Sequence, residues 1–168
     1  MKYKNLKITI DKLKTKWLSP QTAHHYKNEC PFPLVCIFSD GLSDREISNL
    51  THGFPDELLA LWRLSKKSEL FKDSLYGQWG IEILTPEETI IETKNLQKTR
   101  TNETLEKDFV FGRFYGDSEL LITTENGEIL VCTPLDHRNE WIKAANSLSE
   151  FIERITVEEG AKFWEPSH

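Results

Sequence analysis

Asn126-Gly127 lies between the apolar runs Leu120-Leu121-Ile122 and Ile129-Leu130-Val131. Asn-Gly in that setting is the strongest short-range hairpin signal, because a type I′ turn needs positive φ at both central residues. A two-residue turn also fixes the register. It predicts Glu125 opposite Glu128, Thr124 opposite Ile129, Thr123 opposite Leu130, Ile122 opposite Val131 and Leu120 opposite Thr133. Leu120, Ile122, Ile129 and Val131 then share a core face, and Leu121, Thr123, Leu130 and Cys132 share a mixed one. Two glutamates facing each other at the turn are mildly unfavourable. An isolated hairpin is marginal in water, so Phe109 to Phe114, joined through Tyr115-Gly116-Asp117-Ser118, is expected to pair with it as a further strand.

The rest of the chain supplies helices and shorter strands. Ile10, Leu13 and Trp17 have helical spacing, which predicts a short amphipathic helix ending before Ser19-Pro20, with Gln21 to Lys27 adding another turn or two. Cys30-Pro31-Phe32-Pro33 forces an extended path, and Leu34 to Phe38 reads as a strand. Ser43-Asp44-Arg45-Glu46, Thr85-Pro86-Glu87-Glu88 and Ser147-Leu148-Ser149-Glu150 each match the capping box that opens a helix. The first opens a helix carrying Ile47 and Leu50. Another starts at Pro55 and buries Leu58, Leu59, Leu61 and Trp62. Trp79 to Leu84 alternates as a strand with Glu82 outward, and the Thr85 box leads into a helix with Ile90 and Ile91 inside. Lys94 to Lys107 reads as a surface loop, Trp141 to Ala145 as a strand, and Leu148, Phe151, Ile152 and Ile155 as the buried stripe of the last helix. Residues 158–168 read as frayed, with Phe163 and Trp164 free to dock. The order implies an α+β fold: a mostly antiparallel sheet with helices packed on one side. At 168 residues the expectation is a single domain, residues 1–41 forming an N-terminal extension packed on it.

Charge is unevenly divided. Residues 1–41 hold seven Lys against three acids, net +4, and residues 42–168 hold 14 Lys and Arg against 24 acids, net −10. A main body of that sign argues against direct nucleic-acid binding and for basic partners. Cys30, Cys36 and Cys132 have no metal-ligand spacing, so free thiols in a reducing cytoplasm are expected, with a Cys30 to Cys36 disulfide as the alternative. No apolar run approaches the ~20 residues of a membrane span, and the expectation is a cytoplasmic chain with no membrane partner. His24-His25 cannot share one metal on either a helix or a strand. Asp136-His137 has no nucleophile elbow to serve, no phosphate-binding glycine motif occurs, and the paired glutamates fall on caps or loops. No catalytic residue, metal site or cofactor is therefore expected.

Taken together, Leu42-Ser43-Asp44-Arg45-Glu46-Ile47, Gly53-Phe54-Pro55-Asp56-Glu57-Leu58, Trp79-Gly80-Ile81-Glu82-Ile83-Leu84, Phe111-Gly112 with Gly116-Asp117, the Asn126-Gly127 hairpin and Ala144 to Ile152 resemble the SUKH superfamily, the Smi/Knr-type domain. The resemblance covers about residues 42–157. It implies an α+β fold with a curved antiparallel sheet and a non-enzymatic, protein-binding role. That role is an immunity protein neutralising a secreted toxin for bacterial members, or a signalling adaptor for fungal ones. Apart from the resemblance, a small-molecule hydrolase is the third reading. The loop Arg63 to Ser68 departs from the Asn-Gly turn common in the family, and nothing in the resemblance extends to residues 1–41.

Binding a basic toxin domain would call for a few aromatic anchors within an acidic surround. Tyr76 and Trp79, in the segment Asp73 to Glu82, are the candidate anchors, with Tyr115, Asp117, Glu119 and Glu125 beside the open sheet face. The competing readings are an ordinary core tryptophan for Trp79 and a turn residue covering the sheet edge for Tyr115.

Overall fold

The computed structural model describes residues 3–166. Helix α1 (Lys4–Lys16) leads into a small hairpin of β1 (His24–His25) and β2 (Asn28–Glu29), then β3 (Leu34–Phe38), α2 (Asp44–Ser48), α3 (Asp56–Leu64), β4 (Ser68–Asp73) and β5 (Ile81–Ile83). Helix α4 (Pro86–Thr99), strands β6 (Phe109–Phe114), β7 (Leu120–Thr123) and β8 (Ile129–Cys132), a 3₁₀ turn (Arg138–Glu140), β9 (Ile142–Ala145) and α5 (Leu148–Val157) follow. Strands β3 to β9 form one seven-stranded sheet in sequence order, every neighbour antiparallel. This is the expected α+β architecture.

One face of the sheet carries α1, α3 and α5. Leu6, Ile10 and Leu13 of α1, Trp62 of α3 and Phe151 of α5 meet Phe71, Phe111, Leu121 and Val131 in the larger core. Packing of helices on one side holds for these three. Helix α4 lies on the other face, over a second core of Leu84, Leu96, Val110, Ile122, Cys132 and Trp141. The Val110 amide donates to Thr93 Oγ1 at 2.9 Å, fixing α4 to β6. Helix α4 buries Thr89, Thr93 and Leu96, leaving Ile91 exposed, and it runs on through residues expected to be a loop. Its inward face is threonine-rich, so hydrophobic periodicity misplaces its buried side.

The double-sided burial also corrects the hairpin. Leu120 pairs with Cys132, Leu121 with Val131, Ile122 with Leu130 and Thr123 with Ile129, one residue away from the expected register. Only Gly127 has positive φ (84°), the Gly127 amide donates to Thr124 O at 2.9 Å, and the Thr124 amide donates to Glu128 O at 3.0 Å. The connection is therefore a three-residue loop closed by a left-handed glycine, a common alternative to the two-residue turn. Leu121, Ile129 and Val131 face the larger core, while Ile122 and Cys132 face the second. With apolar residues wanted on both faces, alternation leaves the register undetermined. Glu125 and Glu128 do not oppose one another; Glu125 pairs with Lys107 and Glu128 with Lys143.

Local chemistry explains the helix starts. Ser43 and Thr85 form complete capping boxes with Glu46 and Glu88. Ser147 accepts from the Glu150 amide at 3.1 Å, but the Glu150 carboxylate accepts from the Asn146 amide at 2.7 Å, so the box stays open; Glu57 of α3 accepts from the next two amides, Leu148 and Ser149, at 2.9 and 3.0 Å. A carboxylate at that helix end also favours the α5 dipole. Residues Gln21 to Lys27 are not helical, since Tyr26 and Lys27 take the left-handed conformation at the β1–β2 turn. Nor is residue 158 onward frayed as far as the described residues reach, because Phe163 and Trp164 stack on Phe151 and Phe114. Residues 167–168 lie outside the described residues.

The three cysteines are free thiols, not a disulfide. Burial pushes the Cys36 thiol up to about 12 and the Cys132 thiol up to about 11, so both are inert at neutral pH.

Helix α1 belongs to the larger core, touching α3, α5 and β3. Ile10→Ala is accordingly expected to cost about 2–4 kcal/mol, as a fully buried aliphatic truncation. A urea midpoint equal to that of the parent chain would contradict this account of the N-terminal extension.

Candidate protein-binding surface

The β4–β5 loop is folded around one buried carboxylate. Asp73, 1% exposed, accepts at Oδ1 from the Leu75 and Tyr76 amides at 2.9 and 3.0 Å, and at Oδ2 from the Gln78 amide at 3.3 Å. Burial pushes its carboxyl up, but the three amides outweigh this and hold it below the ordinary aspartate value. Two large side chains are consequently held out from a fixed backbone: Leu75 is 62% and Tyr76 71% exposed. Leu75 gave no sequence signal, as an exposed leucine looks like any core leucine in the primary structure.

The base of this loop is welded to its neighbours. Trp79 Nε1 donates to Gly160 O at 3.1 Å, and its ring packs against His25 at 5.4 Å between centroids. The tryptophan is half-buried, between the anchor and core readings. The β6–β7 turn approaches so closely that a Cβ on Gly116, whose φ is +86°, would lie 2.2 Å from Gln78 O. Tyr115, beside that turn, donates from its hydroxyl to Glu69 Oε2 at 2.6 Å, and burial followed by this bond pushes the phenol pKa up. Asp117 and Glu119 both receive Lys162 Nζ at 2.6 Å, from a C-terminal segment lying over the turn. Burial would lower the Lys162 pKa, yet bonds to Asp117 and Glu119 raise it.

Tyr76, Trp79, Tyr115, Asp117 and Glu119 thus gather where the β4–β5 and β6–β7 loops meet. The remaining candidates stand elsewhere. Glu82 lies beneath the start of α4, bound by Arg113 at 2.6 Å and Lys67 at 3.3 Å, and is buried rather than outward. Glu125 sits on the β7–β8 loop, exposed and 3.4 Å from Lys107. Most of these acids are already matched by a cation or an amide, so the apolar pair Leu75 and Tyr76 is the part of the surface left to make new contacts. Among the described residues no group of three His, Cys, Asp or Glu is placed to hold a metal ion, and no helix is long and apolar enough to cross a membrane.

The model of the SMI1 / KNR4 family (SUKH-1) matches residues 42–154, more than half of the chain. The chain belongs to that family. No curated protein matches it. The SUKH-1 match begins at the α2 cap and ends within α5, so it takes in the whole β4–β5 and β6–β7 loop pair. Helix α1, the β1–β2 hairpin, β3 and the Lys162 segment lie outside it. Membership supports a non-catalytic role in binding partner proteins.

Lys162 is the residue that joins the unmatched C-terminal segment to the matched turn. Lys162→Met is expected to cost about 1–3 kcal/mol, because Asp117 and Glu119 would face each other without a cation. Urea denaturation measures this; an unchanged midpoint would show the clasp to be energetically idle.

Proposed function

We propose that this SUKH-1 chain is a non-enzymatic cytoplasmic binding domain that acts as an immunity protein, covering and neutralising a cognate secreted toxin. The observation that carries the reading is the Asp73-centred loop, which holds Leu75 and Tyr76 in the open without needing to be ordered on contact. Binding costs include the ordering of interface loops, and a loop already hydrogen-bonded avoids that cost. A rigid aromatic flanked by a leucine is the kind of anchor that dominates protein interfaces. Trp79, Tyr115, Asp117 and Glu119 form its rim in this reading. The −10 charge of residues 42–168 would steer a basic toxin domain towards it and disfavours nucleic acid as a direct partner. Glu125 contributes to that field from a distance, whereas the charge of Glu82 is spent on Arg113 and Lys67.

Co-expression tests the reading. A toxin module is expected to be encoded beside this chain's gene, one that arrests growth when produced alone and fails to do so when this chain is co-produced. Continued arrest would overturn the immunity reading. Retention of a cellular signalling protein in place of a toxin, by tagged chain purified from its own host, would favour an adaptor.

A further inference from the structure

A second concave surface runs along α1, outside the SUKH-1 match and sharing no residue with the β4–β5 loop. Ile8, Asp11, Lys12, Lys16, Trp17 and Thr156 border an open groove of about 580 Å³ between α1 and the end of α5. Ile8 on its border is 41% exposed, and Leu18 and Val157, which follow Trp17 and Thr156 in the chain, are 58% and 77% exposed. Successive residues four apart on a helix are neighbours, so exposed Lys4, Ile8, Lys12 and Lys16 wind as one row about a third of the way round α1, with Asp11 on the same outward side. Among the described residues Lys4 and Lys12 make no ion pair, and Lys16 reaches Glu159 only at 4.0 Å. The one acid of α1, Asp11, is engaged by Lys7 at 2.7 Å. Like charges one turn apart oppose helix formation, and Glu159 at 4.0 Å from Lys16 only partly offsets Lys12 beside Lys16.

We infer that this groove and its lysine row bind an acidic amphipathic helix of another protein, making α1 a second docking surface with charge opposite to that of the main body. The apolar floor, in which Ile8 is the exposed side chain above buried Leu13 and Trp17, takes the partner's hydrophobic stripe in the helix-in-groove manner, and the lysines take the carboxylates on its flank. The charge division supports that choice of occupant: residues 1–41 carry +4 on a chain whose remainder carries −10. A basic partner steered to the body would be repelled here, and an acidic one admitted. The inference goes beyond the toxin-neutralising role and does not depend on it.

The full chain is titrated with a fluorescein-labelled amphipathic peptide of about five helical turns, leucines on one face and glutamates on the flanks. A matched peptide with lysines for glutamates serves as control. The acidic peptide is expected to bind, to shift the amide resonances of residues 4–17 and Thr156, and to weaken with salt. Combining Lys4→Glu, Lys12→Glu and Lys16→Glu, all exposed, should lower its affinity roughly tenfold or more while leaving the urea midpoint in place. Ile8→Asp should do the same through the apolar floor. Tyr76→Ala should leave it unchanged, which separates this surface from the loop. Absence of binding, equal binding of the lysine peptide, equal binding by the triple variant, or capture of phosphatidylserine vesicles in place of the peptide would overturn the inference.

Discussion

Leu75→Ala combined with Tyr76→Ala is expected to weaken toxin binding by about 3 kcal/mol, on the order of a hundredfold, while the free chain keeps its stability to within about 0.5 kcal/mol. The two effects separate because the side chains are exposed in the free protein and would be covered only by a partner. Neither residue contributes to the two cores. Titration calorimetry of the variant against the toxin domain measures the first effect, and urea denaturation the second. Unchanged affinity would remove the loop from the interface; a large stability loss would mean that the loop serves the fold instead.

Asp73→Ala should affect both quantities together. Three backbone amides lose a charged acceptor at a buried site, at an expected cost of about 2–4 kcal/mol, and the loop that presents Tyr76 loses its fixed shape. Affinity then falls even though no contact residue has changed, because ordering must be supplied at the moment of binding. The same carboxylate gives an acid dependence. Its folded pKa is depressed, so its contribution is complete above the ordinary aspartate value of 3.8 and is lost as pH falls through the lower, folded value. The amide resonances of Leu75, Tyr76 and Gln78 should therefore hold steady down to about pH 4 and move together below it. Movement centred at or above 3.8 would contradict the depressed value.

The parts of the fold legible in the sequence are those where one local signal matches one burial demand. Ile10, Leu13 and Trp17 mark α1, Ser43 and Thr85 mark two helix starts, and Leu148, Phe151, Ile152 and Ile155 mark α5, because each of these helices buries a single stripe or carries its own cap. Legibility fails where tertiary contacts decide. The β7–β8 register is ambiguous because both faces of the ribbon are buried. Strand β4 escapes notice because its alternation is broken: Ser68 and Asp73 are buried polar residues and Phe71 takes a left-handed conformation. The β1–β2 hairpin lacks any glycine or asparagine at its turn. Distant bonds hold it instead, from the His24 amide to Glu159 Oε1 and from the Tyr26 hydroxyl to Lys162 O, each 2.8 Å.

The candidate surface divides in the same way. Tyr76 stands out as an aromatic among turn residues, and the structure leaves it in the open. The acids around it look alike in the sequence, yet Asp73 organises a loop, Glu82 is enclosed by Lys67 and Arg113, and Asp117 with Glu119 holds Lys162. Glu82, Asp117 and Glu119 find their cations 15 to 45 positions away, which no local pattern records, whereas Asp73 is satisfied by amides within five residues of it.

Hydrogen exchange on the full chain, free and then saturated with the toxin domain, addresses the preformed loop most directly. Amides of Leu75, Tyr76 and Gln78 should exchange slowly in the free chain, through their bonds to Asp73, and more slowly still in the complex, together with residues 115–119. Rapid exchange of these amides in the free chain, or protection that leaves residues 74–79 untouched on binding, would contradict a preformed loop as the surface that meets the partner.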